Sequence, residues 1–393
     1  MPISSQDRLL LDESLASVHC HLPQGKKIIV GLSGGVDSAV SIALLKELGY
    51  DVAGLFMKNW EDGEDEGVCP AEQDFQDVAL TANELKVPYF SVNFTREYRT
   101  EVFDQFITGL KAGRTPNPDI LCNLEIKFKH LLHKALHLGA DALATGHYAR
   151  CEKDLAEPGR YYLKRAFDDT KDQTYFLYTA SQKTLPTTVF PLGNIPKKRV
   201  REIARILHLP VATKKDSTGI CFIGKRDFRS FISNYVGYNP GKMVTPEGRI
   251  VGSHQGLAYY TIGQRKGLMI GGQGEAWFVA GKRMDPNELV VVQGEHPALY
   301  AQELYLNSVH WVSCDAPTFP LFCTAKIRYR QPDQECRVEK VLDETGSDIY
   351  KVTFQSPQRA ITLEQSCVFY SEDRCLGGGI ITQIGASEYD KTH

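Results

Sequence analysis

The chain has 393 residues, 42% hydrophobic and 24% charged, with a formal net charge of −3, which predicts two or three ordinary globular domains and gives no global bias toward nucleic acid. No apolar run approaches the roughly 18 residues of a membrane span, and the mixed-charge start (Asp7, Arg8, Asp12, Glu13) is neither a secretory nor a mitochondrial leader, so a cytoplasmic location with no membrane partner is the default expectation. Ten cysteines without a C-x-x-C pair exclude the usual zinc spacings and argue against a disulfide framework.

Residues 1–26 read as an N-terminal extension. From Lys27 short apolar runs alternate with helical patterns: strands at 27–32, 52–57, 88–93 and 141–146, helices at 37–48, 71–86, 96–112 and 121–138. Such alternation predicts an α/β domain, a parallel sheet with helices on both faces. Between the first strand and first helix stands Ser33-Gly34-Gly35-Val36-Asp37-Ser38. A tight turn into a helix aims unpaired backbone N–H groups at one point, at the positive end of the helix dipole, and this makes an anion site. Gly34 and Gly35 let the backbone approach a phosphate, and Ser33 and Ser38 add hydroxyls. There is neither a Gly-Lys-Ser/Thr nor a Gly-x-Gly-x-x-Gly, so neither common nucleotide fingerprint applies. Gly54 to Met57 and Ala144-Thr145-Gly146-His147 should reach the same carboxyl edge of the sheet. Acid gathers at residues 61–66.

In Arg114-Thr115-Pro116-Asn117-Pro118-Asp119-Ile120-Leu121-Cys122-Asn123, two prolines rigidify the approach to a helix. Asp119 is placed as its N-cap and Cys122 in its first turn, where the dipole favours a thiolate and the neighbouring Asp charge opposes it. Residues 148–166 read as a hairpin and 172–208 as a return to helix ending at Leu209-Pro210. In the segment 214–224, lysines flank Cys221; a reactive, accessible thiolate and a thiol buried in the apolar run 220–223 both fit. Basic runs at 197–201, 214–215, 225–226, 265–266, 282–283 and 326–330 are solvated faces unless gathered on one side, where they would form an RNA footprint.

Glycine becomes frequent over 225–302, which reads as a small module of turns and strands. Over 303–386 strand patterns at 310–312, 324–329, 350–354, 366–370 and 380–384 predict a small closed β-barrel. The α/β domain thus spans 27–224, and 387–393 is a tail.

The loop SGGVDS resembles the pyrophosphate-binding loop of ATP pyrophosphatases, which split ATP between the α and β phosphates to adenylate a substrate oxygen. Together with GLFMKNW, AGRTPNPDILCN, ATGHY, KDQTYFLY, KKDSTGICFIG, HQGL, GQRKGL, IRYRQ and CLGGGI, all in order from Lys27 to about Gln383, it resembles the bacterial tRNA-specific 2-thiouridylases. That resemblance implies an enzyme in which ATP activates the C2 oxygen of the wobble uridine 34 and sulfur from a cysteine persulfide replaces it, releasing AMP and pyrophosphate. It implies that Gly31, Leu32, Ser33, Gly34, Gly35, Val36, Asp37 and Ser38 hold ATP, with Met57 and Gly146 near the adenosine. Mg2+ would accompany the nucleotide, and no stable protein metal site is expected.

Cys221 would carry the persulfide from a sulfur donor or relay protein and form a redox pair with Cys122, by direct attack on the base or by release of sulfide. Asp119 would be the general acid/base. Asn117, Pro118 and Asp119 would contact the flipped base, with His147 beside them. Lys171, Asp172, Gln173, Arg328, Tyr329 and Gln365 would contact tRNA, Arg328 as a phosphate fork and Tyr329 as a stacking face. The middle module would bind tRNA too, and the acceptors would be tRNAs for Lys, Glu and Gln. Amide-forming ligases share the ATP loop but need no second cysteine. An RNA-binding module with a vestigial nucleotide site would not keep SGGVDS, Asp119 and both cysteines. An iron–sulfur cluster is not predicted.

Overall fold

The computed structural model describes residues 4–61, 70–216 and 227–392. A five-stranded parallel sheet forms its first part, with strands β1 (Lys27–Leu32), β2 (Asp51–Lys58), β3 (Tyr89–Asn93), β4 (Ala142–Ala144) and β7 (Thr188–Val189) in the order β3-β2-β1-β4-β7. Ile28, Ile29 and Val30 of central β1 are fully buried, as a parallel strand covered on both faces demands. Helix α1 (Ser5–Ser17), capped by Ser4, buries Leu11 in a cluster with Val200 and Ile203 of helix Lys197–Ile206. Helix α2 (Val36–Glu47) is apolar on nearly every side, with Val40, Ile42 and Leu44 buried, and α3 (Pro70–Leu85) crosses over between β2 and β3. Strand order reverses between β1 and β4, the point beyond the strands' carboxyl ends where sheets of this kind bind ligands.

The helix expected at 121–138 is continuous but changes register. It runs through Pro118–Leu121, a π-helical stretch Cys122–Leu131 and Leu132–His137. The expectation of helix over 172–208 is corrected. Pro186, Pro191, Gly193 and Pro196 break that stretch into helix Thr174–Leu177, strand β7 and helix Lys197–Ile206.

The hairpin β5 (Ala149–Lys153) and β6 (Tyr161–Arg165) leaves the first sheet and pairs through β6 with the last strand of the chain. The middle region has strands β8 (Gly241–Val244), β9 (Ile250–His254), β10 (Trp277–Arg283) and β11 (Glu288–Gln293) in the order β10-β11-β8-β9. It also holds a helix, Phe228–Val236, that the glycine-rich texture did not announce.

The C-terminal strands are β12 (Tyr300–Leu306), β13 (His310–Trp311), β14 (Leu321–Lys326), β15 (Gln334–Leu342), β16 (Asp348–Arg359), β17 (Ser366–Ser371) and β18 (Arg374–Ile384). The path β12-β16-β15-β14-β17-β18 closes because β12 also pairs with β18. This is an antiparallel barrel around Leu304, Val338, Val352 and Phe369. The α/β fold with a small middle part and a terminal barrel is the one expected. Among the described residues no helix is long and apolar enough to cross a membrane.

Candidate active site

At the switch point β1 ends at Leu32 and α2 begins after Gly35, so Ser33, Gly34 and Gly35 make the whole turn. Gly34 has φ +71°, and a Cβ there would lie 2.6 Å from the Asp74 carbonyl oxygen, so no side chain fits. Gly35 offers no side-chain cap, which leaves the entry of α2 to an external anion. Ser33 is exposed, whereas Ser38 is buried and stitches the turn: its Oγ accepts the Ser33 N–H (3.2 Å) and donates to the Gly35 carbonyl (3.1 Å). Ser38 is therefore a loop brace, and of the two hydroxyls expected to serve an anion, Ser33 is the one presented outward.

Asp37, expected with the nucleotide, faces protein cations. It accepts from Lys197 Nζ (2.7 and 2.8 Å) and from the Tyr148 hydroxyl (2.8 Å). Lys197 Nζ also meets Asp216 (2.8 Å), which Arg201 and Lys171 join. Burial would raise the Asp216 carboxyl, but these cations outweigh it and hold it below its ordinary value. Lys214 Nζ donates to the Gly34 carbonyl (2.9 Å), Asp74 (2.8 Å) and Asp77 (2.6 Å), tying the turn to α3. Gly31 backs onto Leu131, a Cβ there lying 3.3 Å from Cδ2; Leu32 and Val36 are core, and half-buried Met57 packs on the neighbouring apolar cluster.

Further along the chain, Asn117 and not Asp119 caps the helix. Its Oδ1 accepts the N–H groups of Asp119 (3.1 Å) and Ile120 (3.4 Å), with Pro118 at the first helical position. The Asp119 carboxylate is released from capping; burial pushes its pKa up, and Lys127 opposes that. Cys122 opens the π stretch and is 2% exposed. Lys127 Nζ lies 2.9 Å from Asn123 Oδ1 and 3.2 Å from His147 Nε2. An ammonium can only donate, so Nε2 accepts, and Nδ1–H donates to Thr145 Oγ1 at 2.8 Å. Burial and then Lys127 hold the His147 pKa well below its ordinary value, which keeps the ring neutral.

Gly146 joins the two halves. A Cβ on it would lie 2.9 Å from the Asp37 carbonyl carbon and the Ser38 nitrogen. The chain thus touches the anion loop at one residue and Lys127 at the next. The segment 112–117 is braced from outside the α/β domain. Thr115 N–H bonds the Leu363 carbonyl (3.2 Å), Gln365 Nε2 bonds the Thr115 carbonyl (2.6 Å), and Arg114 pairs with Glu364 (2.7 Å). Lys282 Nζ of β10 donates to the Gly113 carbonyl (2.8 Å), and burial pushes its pKa down to about 8.

Two residues expected to contact tRNA face inward. Asp172 is 7% exposed and accepts from Ala166 N–H (3.1 Å), Thr174 N–H (3.4 Å) and Thr174 Oγ1 (2.7 Å). Arg328 Nη2 donates to the Ile262 carbonyl (2.8 Å), the Ala360 carbonyl (2.7 Å) and Thr362 Oγ1 (3.3 Å), and burial lowers its pKa. It is a strut between the middle region and the barrel, not a free phosphate fork. Gln173 Oε1 accepts the Tyr148 N–H (2.9 Å), and the Tyr329 ring is packed on Phe176 at 4.5 Å. Cys221, Lys225, Arg226 and the acidic run beyond Glu61 lie outside the described residues.

Sequence reading passed over Lys127, Lys197, Lys214, Asp216 and Lys282 as residues around the first turn and its neighbour helix. Three of the five, Lys197, Lys214 and Lys282, stand in the basic runs and Asp216 in the Cys221 segment, but their partners are up to 180 positions away, and spacing carries no sign of that.

A parallel sheet with a glycine turn at its switch point is the architecture of a HUP-domain protein. Family models agree: a tRNA methyl transferase HUP domain matches residues 26–225, a tRNA methyl transferase PRC-barrel domain 229–293, and an aminomethyltransferase β-barrel domain 301–381. Relatives named tRNA-specific 2-thiouridylase MnmA match almost throughout. The one from Protochlamydia amoebophila is 54% identical over 367 residues, covering 93% of this chain and 96% of the relative. Those from Halalkalibacterium halodurans (52% identity, 94% and 98% coverage) and Bacillus subtilis (50%, 92% and 96%) are close behind. The chain belongs to the tRNA-specific 2-thiouridylase family of tRNA sulfurtransferases. A solved structure, the U34-tRNA thiolase NcsA from Methanococcus maripaludis, aligns at 20% identity with a TM-score of 0.37, over 58% of this chain and 70% of that one.

Proposed function

We propose that this chain activates the C2 oxygen of uridine 34 in tRNA with ATP and replaces it with sulfur. One observation carries the reading: consecutive residues Gly146 and His147 join the anion loop to the helix of Asp119 and Cys122. A nucleotide phosphate at Ser33 to Ser38 and a base at Asn117 to Asp119 would then share one crevice. Gly31 to Ser38, with Met57 and Gly146, bind ATP. Uridine 34 sits in a single-stranded loop and enters the site at low cost in unpairing.

The uridine O2 attacks the α-phosphorus. The O2–P bond forms, the bond to the β-phosphate oxygen breaks and pyrophosphate leaves. Asp119 takes the N3 proton, a role worth about 10²–10⁴ in rate; a carboxyl with a raised pKa suits it because it can also return the proton. Cys221 carries the persulfide from a donor protein. In one route its terminal sulfur attacks C2 and AMP leaves; the Cys122 thiolate then attacks the Cys221 sulfur, and the 2-thiouridine is freed. In the other, Cys122 attacks first, and the hydrosulfide released displaces AMP. Both end in a Cys122–Cys221 disulfide that an external dithiol must reduce.

Magnesium is expected with the nucleotide. Asp37 is held by Lys197 and Tyr148, and among the described residues no three metal-ligating side chains cluster. The donor set does not fit a protein-held ion, and no step here depends on one. His147, Gln173, Lys171, Tyr329 and Gln365 line or brace the approach of the tRNA.

The test is direct. With ATP, a persulfide donor and a tRNA transcript for Lys, Glu or Gln, 2-thiouridine should appear at position 34, seen as retardation in a mercury-containing gel. Product on a transcript with cytidine at position 34, or none on any transcript, would refute the reading.

A further inference from the structure

We propose that Lys127 is a positioning residue for this chemistry: fixed between Asn123 and His147, its ammonium holds the His147 ring in a single neutral tautomer and favours negative charge on Asp119, about two helical turns earlier on the same helix. The inference rests on the reading of Asp119 as acid/base given above.

The geometry of Lys127 differs from that of its neighbours. Lys129 bonds Glu101 (3.0 Å) and Glu125 (2.7 Å), Lys197 bonds Asp37 and Asp216, and Lys214 bonds Asp74 and Asp77. Lys127 instead bonds two neutral acceptors, an amide oxygen and an imidazole nitrogen. Among the described residues no carboxylate lies at ion-pair distance from it. Asn123 is itself anchored, its Nδ2 donating to the Phe176 carbonyl at 2.9 Å, so the ammonium has a defined position. A half-buried cation held by neutral partners costs desolvation energy and adds little stability. Its advantage is the field it exerts on nearby ionisable groups.

Those groups can be named element by element. Asp119 and Cys122 share its helix, and His147 faces it from the turn after β4. Helix Thr174–Leu177 contributes Tyr175, buried and bonded to the Ser366 carbonyl. The stretch Arg99–Phe103 contributes Arg99, paired with Asp104, and Glu101, turned to Lys129 and His130. Lys127 is the influence that opposes burial at Asp119.

The experiment is the pH profile of kcat/KM for thiolation in wild type, Lys127→Gln, Lys127→Arg and Asp119→Asn, with ATP affinity and melting temperature measured alongside. In wild type the acid limb reports Asp119 losing its proton. Without the Lys127 charge that limb should move up by roughly one pH unit or more, because a nearby opposite charge shifts a carboxyl by about that much. Near the limb the rate should fall about tenfold and recover toward alkaline pH, with ATP affinity unchanged. Lys127→Arg should keep the wild-type limb; this variant decides if the Gln variant fails to fold, and an upward limb in it would overturn the inference. A uniform loss at every pH in Lys127→Gln would also overturn it and leave Lys127 a structural residue. An acid limb that persists in Asp119→Asn would instead sink the acid/base reading of Asp119.

Discussion

Asp119 sits where a carboxylate is least comfortable, and that position predicts its behaviour. Burial raises its pKa, so ionised Asp119 weighs against the folded state above its ordinary value of 3.8. Asp119→Asn should therefore leave the melting temperature unchanged or higher, while thiolation falls about 10²–10⁴-fold; near-normal turnover would remove Asp119 from the acid/base role. Asp119→Ala should be less stable than the Asn variant. His147 follows the opposite rule. Its pKa is depressed, so the unfolded chain binds the extra proton, and stability should fall as pH drops below the ordinary value of 6.5. Gly146→Ala would drive a Cβ to 2.9 Å from backbone atoms of α2, which cannot move aside as a side chain can. It should cost about 1–3 kcal/mol and weaken ATP binding at least tenfold, read by melting and nucleotide titration. At this scale much was legible. Position and type of Asp119, Cys122 and Gly34 came from the motifs, but the cap was assigned to Asp119 because Asn and Asp cap equally well and Pro118 at the first helical position selects Asn117.

Among the elements, the segment 112–117 is the one the rest of the molecule converges on. The barrel holds it through Thr115, Gln365 and the Arg114–Glu364 pair, and the middle region holds it through Lys282. Lys282→Met should loosen it and lower the thiolation rate several-fold, with ATP affinity unchanged. The pH sign is set by burial: the folded pKa of about 8 lies below the ordinary 10.5, so the unfolded state binds more protons between those values. Wild type should therefore gain stability relative to Lys282→Met as pH rises from 8 to 10.5, measured by denaturant melts; a pH-independent difference would contradict burial of the ammonium. The long periodic helices and β1 to β3 were readable from apolar spacing. Strand β7, two residues long among prolines and glycine, had no period to read. It exists because β4 offers it a paired edge.

For the molecule as a whole, the order of α/β domain, small module and barrel was visible in texture. How the parts lock together was not. The hairpin β5–β6 extends the barrel's sheet by pairing with β18, some 210 positions later, and Arg328 bridges Ile262 to Ala360. The partners of the basic runs were hidden for the same reason: Lys197, Arg201 and Lys214 bind acids around the turn after β1, which local spacing does not reveal. Arg328→Ala should lower stability by about 1.5–3 kcal/mol and leave the salt dependence of tRNA binding unchanged; a shallower slope would return Arg328 to the phosphates. The central claim, that activation by ATP and transfer of sulfur are separate steps in one crevice, is tested most directly by pyrophosphate release with and without tRNA bearing uridine 34, in wild type and Cys221→Ala. Release that needs tRNA and survives in Cys221→Ala, with no thiolated product from that variant, is the predicted result. Absence of pyrophosphate with every tRNA, or its loss together with Cys221, would contradict the account.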